Sequence, residues 1–268
     1  MTQAVTTVAQ RRIRPLRLAI VVLAGLLLGV GSFSIVNVIA TPRRTTPLYD
    51  PPVLAGQQIP GYCSGGFYAR HGTTVVLTTS PHCAGEGTVA YDPGRTTVQG
   101  VFGPTARDTA ACPYQGHTCA ASDMNYLVVA PDRIPWGHLN VVDLGTAGYR
   151  IIPPGSQPLA CPDIAIGDPV EIDGRNVYRS GTVAEKGQNL FPVSQDGSFF
   201  PCMIAAHVPV GGGDSGGAVL VRGIPAGVTS RNFGGSLGFT PLAEGLAEMG
   251  LDLCTTPDCG LVPPAGTP

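Results

Sequence analysis

The sequence predicts an all-β fold, an antiparallel sandwich or barrel, from two observations. First, the 268 residues include 37 glycines and 26 prolines, which interrupt the chain too often for a coiled coil or a helical bundle. Second, short runs of β-branched and apolar residues recur between these turn residues. Because 43% of the residues are hydrophobic, the chain can form a sizeable core, and intrinsic disorder is excluded.

The apolar runs define the expected elements. The predicted strands span residues 73–79, 87–91, 96–102, 126–130, 139–142, 169–172, 181–184, 218–221 and 226–229. Residues 241–250 differ, since they open with proline, repeat apolar residues at helical spacing and end at glycine. This pattern predicts a short C-terminal helix. Beyond it, residues 254–268 become polar and proline-rich, which predicts a tail.

The first 40 residues predict export. Residues 1–17 contain four arginines and precede an uncharged, mostly apolar stretch at residues 18–40. As a helix, this stretch would span about 34 Å, enough to cross a bilayer. Because the arginines come first, residues 1–17 should be cytoplasmic and the remaining chain outside. Residues 18–40 are a signal peptide or a transmembrane anchor. The small-residue site at 38–40 leaves both open, so the chain is secreted or membrane-anchored.

Residues 41–60 contain five prolines, which predicts an extended linker rather than a packed unit. The folded domain is therefore expected to span residues 61–253. Lysine plus arginine number 16 against 18 acids, for a formal charge of −2. This balance excludes nucleic acid as a partner, because binding phosphates needs clustered positive charge.

Eight cysteines in an exported chain predict disulfides rather than metal ligands. Cys112–Cys119 and Cys254–Cys259 are each close enough in sequence to close a local loop. No Cys-x-x-Cys motif or histidine cluster accompanies them, so no metal site is predicted. The cysteines left for long-range pairing are Cys63, Cys83, Cys161 and Cys202.

The most specific chemical signal is the segment Gly-Asp-Ser-Gly-Gly at residues 213–217, which leads directly into an apolar strand. Glycines on both sides of Ser215 let the backbone turn tightly and point successive N–H groups at one place. Such a turn can form a nucleophile and an oxyanion hole together. A glycine-rich hairpin with an incidental serine is the alternative.

A serine nucleophile needs a base, and the base needs a carboxylate. His82 stands at the end of an apolar strand and next to a cysteine, a setting that the other histidines lack. Asp123 immediately precedes a strand with a buried pattern, whereas Asp92 and Asp108 have turn-like neighbours. His82, Asp123 and Ser215 are therefore the candidate catalytic residues.

In this order and with these surroundings, the three motifs resemble those of the chymotrypsin-like serine proteases. The segments Thr79–Cys83, Asp123 and Gly213–Gly217 match the histidine, aspartate and serine motifs of that family. The resemblance covers about residues 61–253, and the C-terminal half is similar to the bacterial streptogrisin and α-lytic type. It implies two six-stranded antiparallel β-barrels, divided near residues 150–165, with the active site between them.

The resemblance also implies further site residues. The backbone N–H groups of Gly213 and Ser215 would form the oxyanion hole, and Ser230 would lie beside the triad on the strand that pairs with substrate. Cys63–Cys83 would bracket the histidine loop. Cys161–Cys202 then remains as the last pair. Bacterial members pair the aspartate that matches Asp214 with an internal arginine, for which Arg175 is a possible candidate.

Several positions depart from the family pattern. Pro81 replaces the small residue usual before the histidine, which restricts Ser80 and removes a backbone donor. Pro209 stands where trypsin-like members carry an acid, and Thr229 stands where glutamate-specific members carry a histidine. The expected substrate-binding positions Pro209, Thr229 and Ser230 thus favour an apolar or small P1 side chain.

The sequence therefore predicts a serine endopeptidase that hydrolyses protein or peptide substrates through an acyl-enzyme and needs no metal or organic cofactor. Two alternatives stay open. One is a catalytically silent module of the protease fold that binds ligands of the cell envelope, because fold does not guarantee chemistry. The other is an esterase that uses the same triad.

Overall fold

The computed structural model describes residues 54–59, 63–92, 96–105, 118–175, 177–187 and 198–265. The predicted cytoplasmic segment, residues 1–17, and the predicted membrane segment, residues 18–40, lie outside these ranges. Within them, no helix is long and apolar enough to span a membrane.

The described residues form short β-strands and one α-helix. Strands β1 to β10 are Gln58–Ile59, Cys63–Ser64, Tyr68–His71, Thr74–Thr79, Val89–Tyr91, Val98–Phe102, Thr118–Cys119, Asn125–Val129, Val141–Asp143 and Tyr149–Ile151. Strands β11 to β18 are Pro169–Gly174, Val177–Gly187, Ser198–Phe199, Met203–Pro209, Ala218–Val221, Ile224–Phe233, Ser236–Pro241 and Asp252–Leu253. Helix α1 is Leu242–Met249, and 3-10 turns occupy Pro81–Cys83, Pro131–Arg133, Gly145–Ala147 and Cys161–Asp163.

The second half of the domain is a closed antiparallel barrel of six strands in the order β11-β12-β14-β17-β16-β15. Its interior is filled by buried aliphatic and aromatic side chains, among them Ile172, Ile204 and Phe239. Side chains on one face of each strand point into this core, which is how a small barrel excludes water. One of the two predicted six-stranded barrels is thereby confirmed.

The first half is an antiparallel sheet of six strands in the order β18-β3-β4-β8-β6-β5. The six strands of the predicted second barrel are thus present as one sheet, and among the described residues its hydrogen-bond ladder is open between β5 and β18. Both edge strands are only two or three residues long. The buried apolar residues of this half nevertheless form one core that includes Ala90, Leu127 and Leu251.

The predicted C-terminal helix is confirmed as α1, which ends at Gly250 with a φ of +64°. Two of its acidic side chains bind backbone groups of distant segments. The carboxylate of Glu244 accepts from the N–H of Cys161 at 2.8 Å, and that of Glu248 accepts from the N–H of Ala121 at 2.9 Å. The helix thus holds the connection into the barrel and the segment that precedes β8.

Both predicted domain boundaries differ from the structure. At the start, Gln57 donates a hydrogen bond to Asp143 Oδ2 at 2.7 Å, and Ile59 is completely buried, so the end of the predicted linker 41–60 belongs to the domain. At the other end, the N–H of the fully buried Cys254 donates to the Tyr68 carbonyl at 3.0 Å, so the predicted tail 254–268 begins inside the domain. These contacts join residues far apart in sequence, which local composition does not reveal.

Three disulfides lie within the described residues. They are Cys63–Cys83, Cys161–Cys202 and Cys254–Cys259, with Cα–Cα distances of 5.8, 6.3 and 4.5 Å. These are three of the four predicted pairs. The fourth, Cys112–Cys119, has one member outside the described residues.

A test of the packing of the first sheet is the substitution Gly100→Ala in β6. A Cβ atom at Gly100 would overlap the carbonyl oxygen of Val128 in β8, so β6 and β8 would have to separate. We expect the free energy of unfolding to fall by about 1–3 kcal/mol in urea denaturation. The matched control is Gly85→Ala, where nothing lies within 4 Å of the added Cβ, and its effect should stay within about 0.5 kcal/mol. Equal effects at the two positions would contradict this packing.

Candidate active site

His82 lies in the 3-10 turn Pro81–Cys83, which directly follows Ser80 at the end of β4. The proline favours this turn because its fixed φ suits the first helical position. The disulfide from Cys83 to Cys63 in β2 ties the turn to the first sheet. The His82 side chain is exposed, so it can reach a bound molecule.

Asp123 lies two residues before β8 and is only 6% exposed. Its backbone N–H donates to the hydroxyl of Thr240 in β17 at 3.0 Å. The hydroxyl of the preceding residue, Ser122, also donates to Thr240 Oγ1, at 2.8 Å. A strand of the barrel therefore fixes the position of a carboxylate that belongs to the first half.

The Asp123 carboxylate accepts hydrogen bonds from two serine hydroxyls. Ser230 Oγ in β16 and Ser80 Oγ both donate to Oδ2, the latter at 3.5 Å. Ser80 Oγ also lies 2.9 Å from Nδ1 of His82. Among the described residues, the His82 ring thus forms its hydrogen bond with Ser80, and Ser80 in turn contacts Asp123.

Ser215 lies in the glycine-rich turn between β14 and β15. Two of its glycines have positive φ, +96° at Gly213 and +82° at Gly216, a conformation that other residues rarely adopt. At Gly216, a Cβ would overlap Thr79 Oγ1 and would lie 2.9 Å from the backbone nitrogen of Ser80. Only glycine therefore allows the serine turn to pack against the histidine segment.

Backbone contacts hold Ser215 beside that segment. Its carbonyl accepts from the N–H of Ser64 in β2 at 2.7 Å and lies 3.9 Å from Sγ of Cys83. The structure thus brings the segments of His82, Asp123 and Ser215 together. Within the described residues no hydrogen bond joins His82 to Ser215; such bonds often form only when substrate is bound.

The predicted oxyanion donors bind no acceptor in the part of the chain that the structure describes. Among the described residues, the N–H groups of Gly213 and Ser215 donate to no protein atom, whereas the intervening N–H of Asp214 donates to the Gly211 carbonyl. The Gly213 carbonyl accepts from Ser64 Oγ at 2.9 Å, which fixes that peptide unit. Two such N–H donors next to a serine hydroxyl could stabilise an oxygen that gains negative charge.

The Asp214 side chain forms an ion pair that differs from the expected one. Asp214 is 1% exposed, and its Oδ2 accepts from Nη1 of Arg179 at 2.7 Å and from the N–H of Gly211 at 2.7 Å. Arg175, the candidate named from the sequence, instead donates to the Gly212 carbonyl at 2.5 Å. Arg175 directly follows β11, whereas Arg179 lies within β12, opposite Ile172 of β11.

The expected substrate-binding positions occupy different environments. Pro209 is exposed at the end of β14, and Thr229 is 2% exposed with its N–H bonded to the Gly217 carbonyl at 2.9 Å. Ser230 directs its hydroxyl to Asp123. The amide of Asn232, two residues further along β16, donates to the Val210 carbonyl at 3.0 Å and so joins the two segments that flank this region.

Sequence reasoning did not identify three residues of this site, Ser64, Ser80 and Arg179. For Ser80 the sequence contained an indication of a role, because Pro81 removes a backbone donor next to the histidine. For Ser64 and Arg179 no sequence pattern indicated a role in the site. In the described part of the chain, no group of three or more histidine, cysteine, aspartate or glutamate side chains could hold a metal ion.

A test of the serine turn is Arg179→Met. The substitution leaves the buried Asp214 carboxylate without its cation, and we expect a loss of about 3 kcal/mol of unfolding free energy in urea. The control is Arg222→Met, which removes the more exposed pair Arg222–Asp168 and should cost less than about 1 kcal/mol. Adding Asp214→Asn to Arg179→Met should recover part of the loss. An Arg179→Met protein as stable as the native one would contradict the role of this pair.

Comparison with known proteins supports the fold. No protein-family description and no curated protein matches the chain. Solved structures do match it: Thermobifida fusca protease A at 23% identity and a TM-score of 0.56, covering 75% of this chain and 98% of that one. A glutamic acid specific serine protease is 24% identical with a TM-score of 0.57, and the match covers 75% of this chain and 100% of that one. Cellulomonas bogoriensis chymotrypsin is 22% identical with a TM-score of 0.56, and the match covers 76% of this chain and 100% of that one. The chain therefore has the chymotrypsin-like fold of bacterial serine proteases, and the resemblance seen in its three motifs is confirmed at the level of the fold.

Proposed function

We propose that the chain is an exported serine endopeptidase in which Ser215 is the nucleophile, His82 the general base and Asp123 the carboxylate that supports the base. The observation that carries this proposal is the packing of the Ser215 turn directly against the segment of His82, with a buried, hydrogen-bonded Asp123 beside it. Residues from three distant parts of the sequence converge there.

In the proposed reaction, Ser215 Oγ attacks the carbonyl carbon of a peptide bond while Nε2 of His82 takes the hydroxyl proton. The carbonyl oxygen becomes an oxyanion and is stabilised by the N–H groups of Gly213 and Ser215. His82 then gives the proton to the leaving amine as the C–N bond breaks. Water, deprotonated by His82, hydrolyses the resulting ester and releases Ser215.

The electrostatics of the site support this assignment of roles. A protonated imidazole needs a nearby negative charge, and Asp123 supplies one whose position is fixed by hydroxyl donors and by its own N–H. The other acid in the serine turn, Asp214, is already paired with Arg179. Asp123 is therefore the carboxylate available to His82.

The proposed substrates are proteins or peptides with an apolar or small P1 side chain. Pro209 brings no acid to pair with lysine or arginine, and Thr229 brings no imidazole to pair with glutamate. The glutamic acid specific relative uses a histidine triad in substrate binding. Thr229 does not supply such a group here.

We also propose that the domain works outside the cytoplasm. Its three described disulfides are stable in oxidising compartments. Residues 18–40 would serve as the signal peptide or as a membrane anchor.

The nucleophile is tested by covalent labelling with an organophosphonate on the folded, disulfide-intact protein. The native protein should form one adduct, at Ser215, detectable by mass spectrometry of its peptides. Ser215→Ala should form none, and the control Ser156→Ala, which changes a serine far from the turn in sequence, should label normally. Absence of labelling in the native protein would favour the silent binding module. Labelling with turnover of esters but not of peptides would favour an esterase.

Substrate preference is tested by profiling cleavage of a peptide library with the native protein and with Ser215→Ala as the blank. We expect cleavage after small or apolar residues, because neither Pro209 nor Thr229 offers a charge to a P1 side chain. Preferential cleavage after arginine, lysine or glutamate would contradict this preference without affecting the assignment of Ser215.

A further inference from the structure

The hydroxyl of Ser80 lies between the two side chains that act together in the proposed function. It is 2.9 Å from Nδ1 of His82 and 3.5 Å from Oδ2 of Asp123, and Ser80 is completely buried. On the basis of the proposed function, we propose that Ser80 is a positioning residue that links His82 to Asp123 and sets the tautomer of the His82 ring.

The chemistry of the three groups fixes the direction of these hydrogen bonds. An ionised carboxylate accepts only, and a hydroxyl has a single proton to donate. If the Ser80 proton points to Asp123, Ser80 Oγ must accept from His82, which requires the ring proton to sit on Nδ1. Nε2 is then unprotonated and can take the proton of Ser215, while the proton on Nδ1 stays on the ring throughout.

Pro81 explains why a side chain is needed at this place. Every other residue type at position 81 would present a backbone N–H next to the histidine, and proline has none. The segment next to His82 therefore has one backbone donor fewer. A hydroxyl on the residue before the proline adds a donor within the same segment.

The surroundings of Ser80 restrict its movement. Its carbonyl accepts from the N–H of Cys83 at 3.1 Å, which closes the turn that carries His82. On the other side, the Gly216 backbone packs close to the Ser80 nitrogen. The Ser230 hydroxyl binds the same Oδ2 atom of Asp123 that Ser80 binds, so two hydroxyls orient one carboxylate oxygen. A residue held in this way can orient its neighbour.

The kinetic test is Ser80→Ala. Without the hydroxyl, the imidazolium loses its link to the carboxylate, so we expect kcat to fall about 10- to 100-fold with KM unchanged. The midpoint of the acid limb of kcat/KM should move about 0.5–1 pH unit lower. The matched control is Thr78→Val, an isosteric loss of a buried hydroxyl in β4 that accepts from the Phe67 N–H. This control should lose stability without shifting the acid limb.

A second readout does not depend on activity. In protein labelled with 15N-histidine, with the His82 signals assigned from His82→Gln, the neutral ring should carry its proton on Nδ1. In Ser80→Ala the ring should shift towards the Nε2–H form that free imidazole prefers, whereas Thr78→Val should match the native protein.

Three outcomes distinguish this proposal from the proposed function. A tautomer that is the same in native protein and in Ser80→Ala overturns the role of Ser80, whatever happens to kcat. An unchanged acid limb in an active Ser80→Ala protein also overturns it and leaves the endopeptidase assignment intact. If the native protein hydrolyses no peptide but its tautomer depends on Ser80, the positioning role holds and the proposed function fails.

Discussion

The close contact between the serine turn and the end of β4 is the constraint on which the site depends. Gly216 can approach Thr79 and Ser80 only because it has no side chain. Ser64 stabilises the contact from the other side through three hydrogen bonds. Its N–H donates to the Ser215 carbonyl and its hydroxyl donates to the Gly213 carbonyl. Its own carbonyl accepts from Thr79 Oγ1 at 3.0 Å. Because these groups are buried, each would lose stability if left without a partner. The two halves of the domain are therefore joined at the place where the proposed chemistry occurs.

Burial of two acids organises the rest of the site. Asp123 and Asp214 are both almost completely buried, and a buried carboxylate is stable only with donors or a cation nearby. Oδ2 of Asp214 binds Arg179 and the N–H of Gly211, and these bonds hold the serine turn from the barrel side. Asp123 is satisfied by the hydroxyls of Ser80 and Ser230, which come from the two halves. One acid thus supports the turn, and the other contacts the same Ser80 hydroxyl as the histidine.

Local patterns predicted several elements well. An apolar run predicted strand β15, Ala218–Val221, and a segment that runs from proline to glycine predicted helix α1. Both predictions agree with the observed bounds within one residue, because both patterns are local. Strands β14 and β17 were not foreseen. β14 contains two alanines and ends at Pro209, while β17 is interrupted by Gly238 and ends at Pro241; these residue types are depleted in strands. Barrel pairing on both sides outweighs these preferences.

By itself, the sequence determined the all-β class, the short C-terminal helix, the local Cys254–Cys259 pair and the residues that converge at the candidate site, because glycine turns, apolar runs and motif residues act over a few positions. The pairs Cys63–Cys83 and Cys161–Cys202 followed from the family resemblance and from the cysteines it left over. Only the tertiary structure decided that Arg179 rather than Arg175 faces Asp214, that the first sheet stays open among the described residues, and that Ser80 stands between His82 and Asp123. Those outcomes depend on strand register and on contacts between residues distant in sequence, which set distances that no local pattern contains.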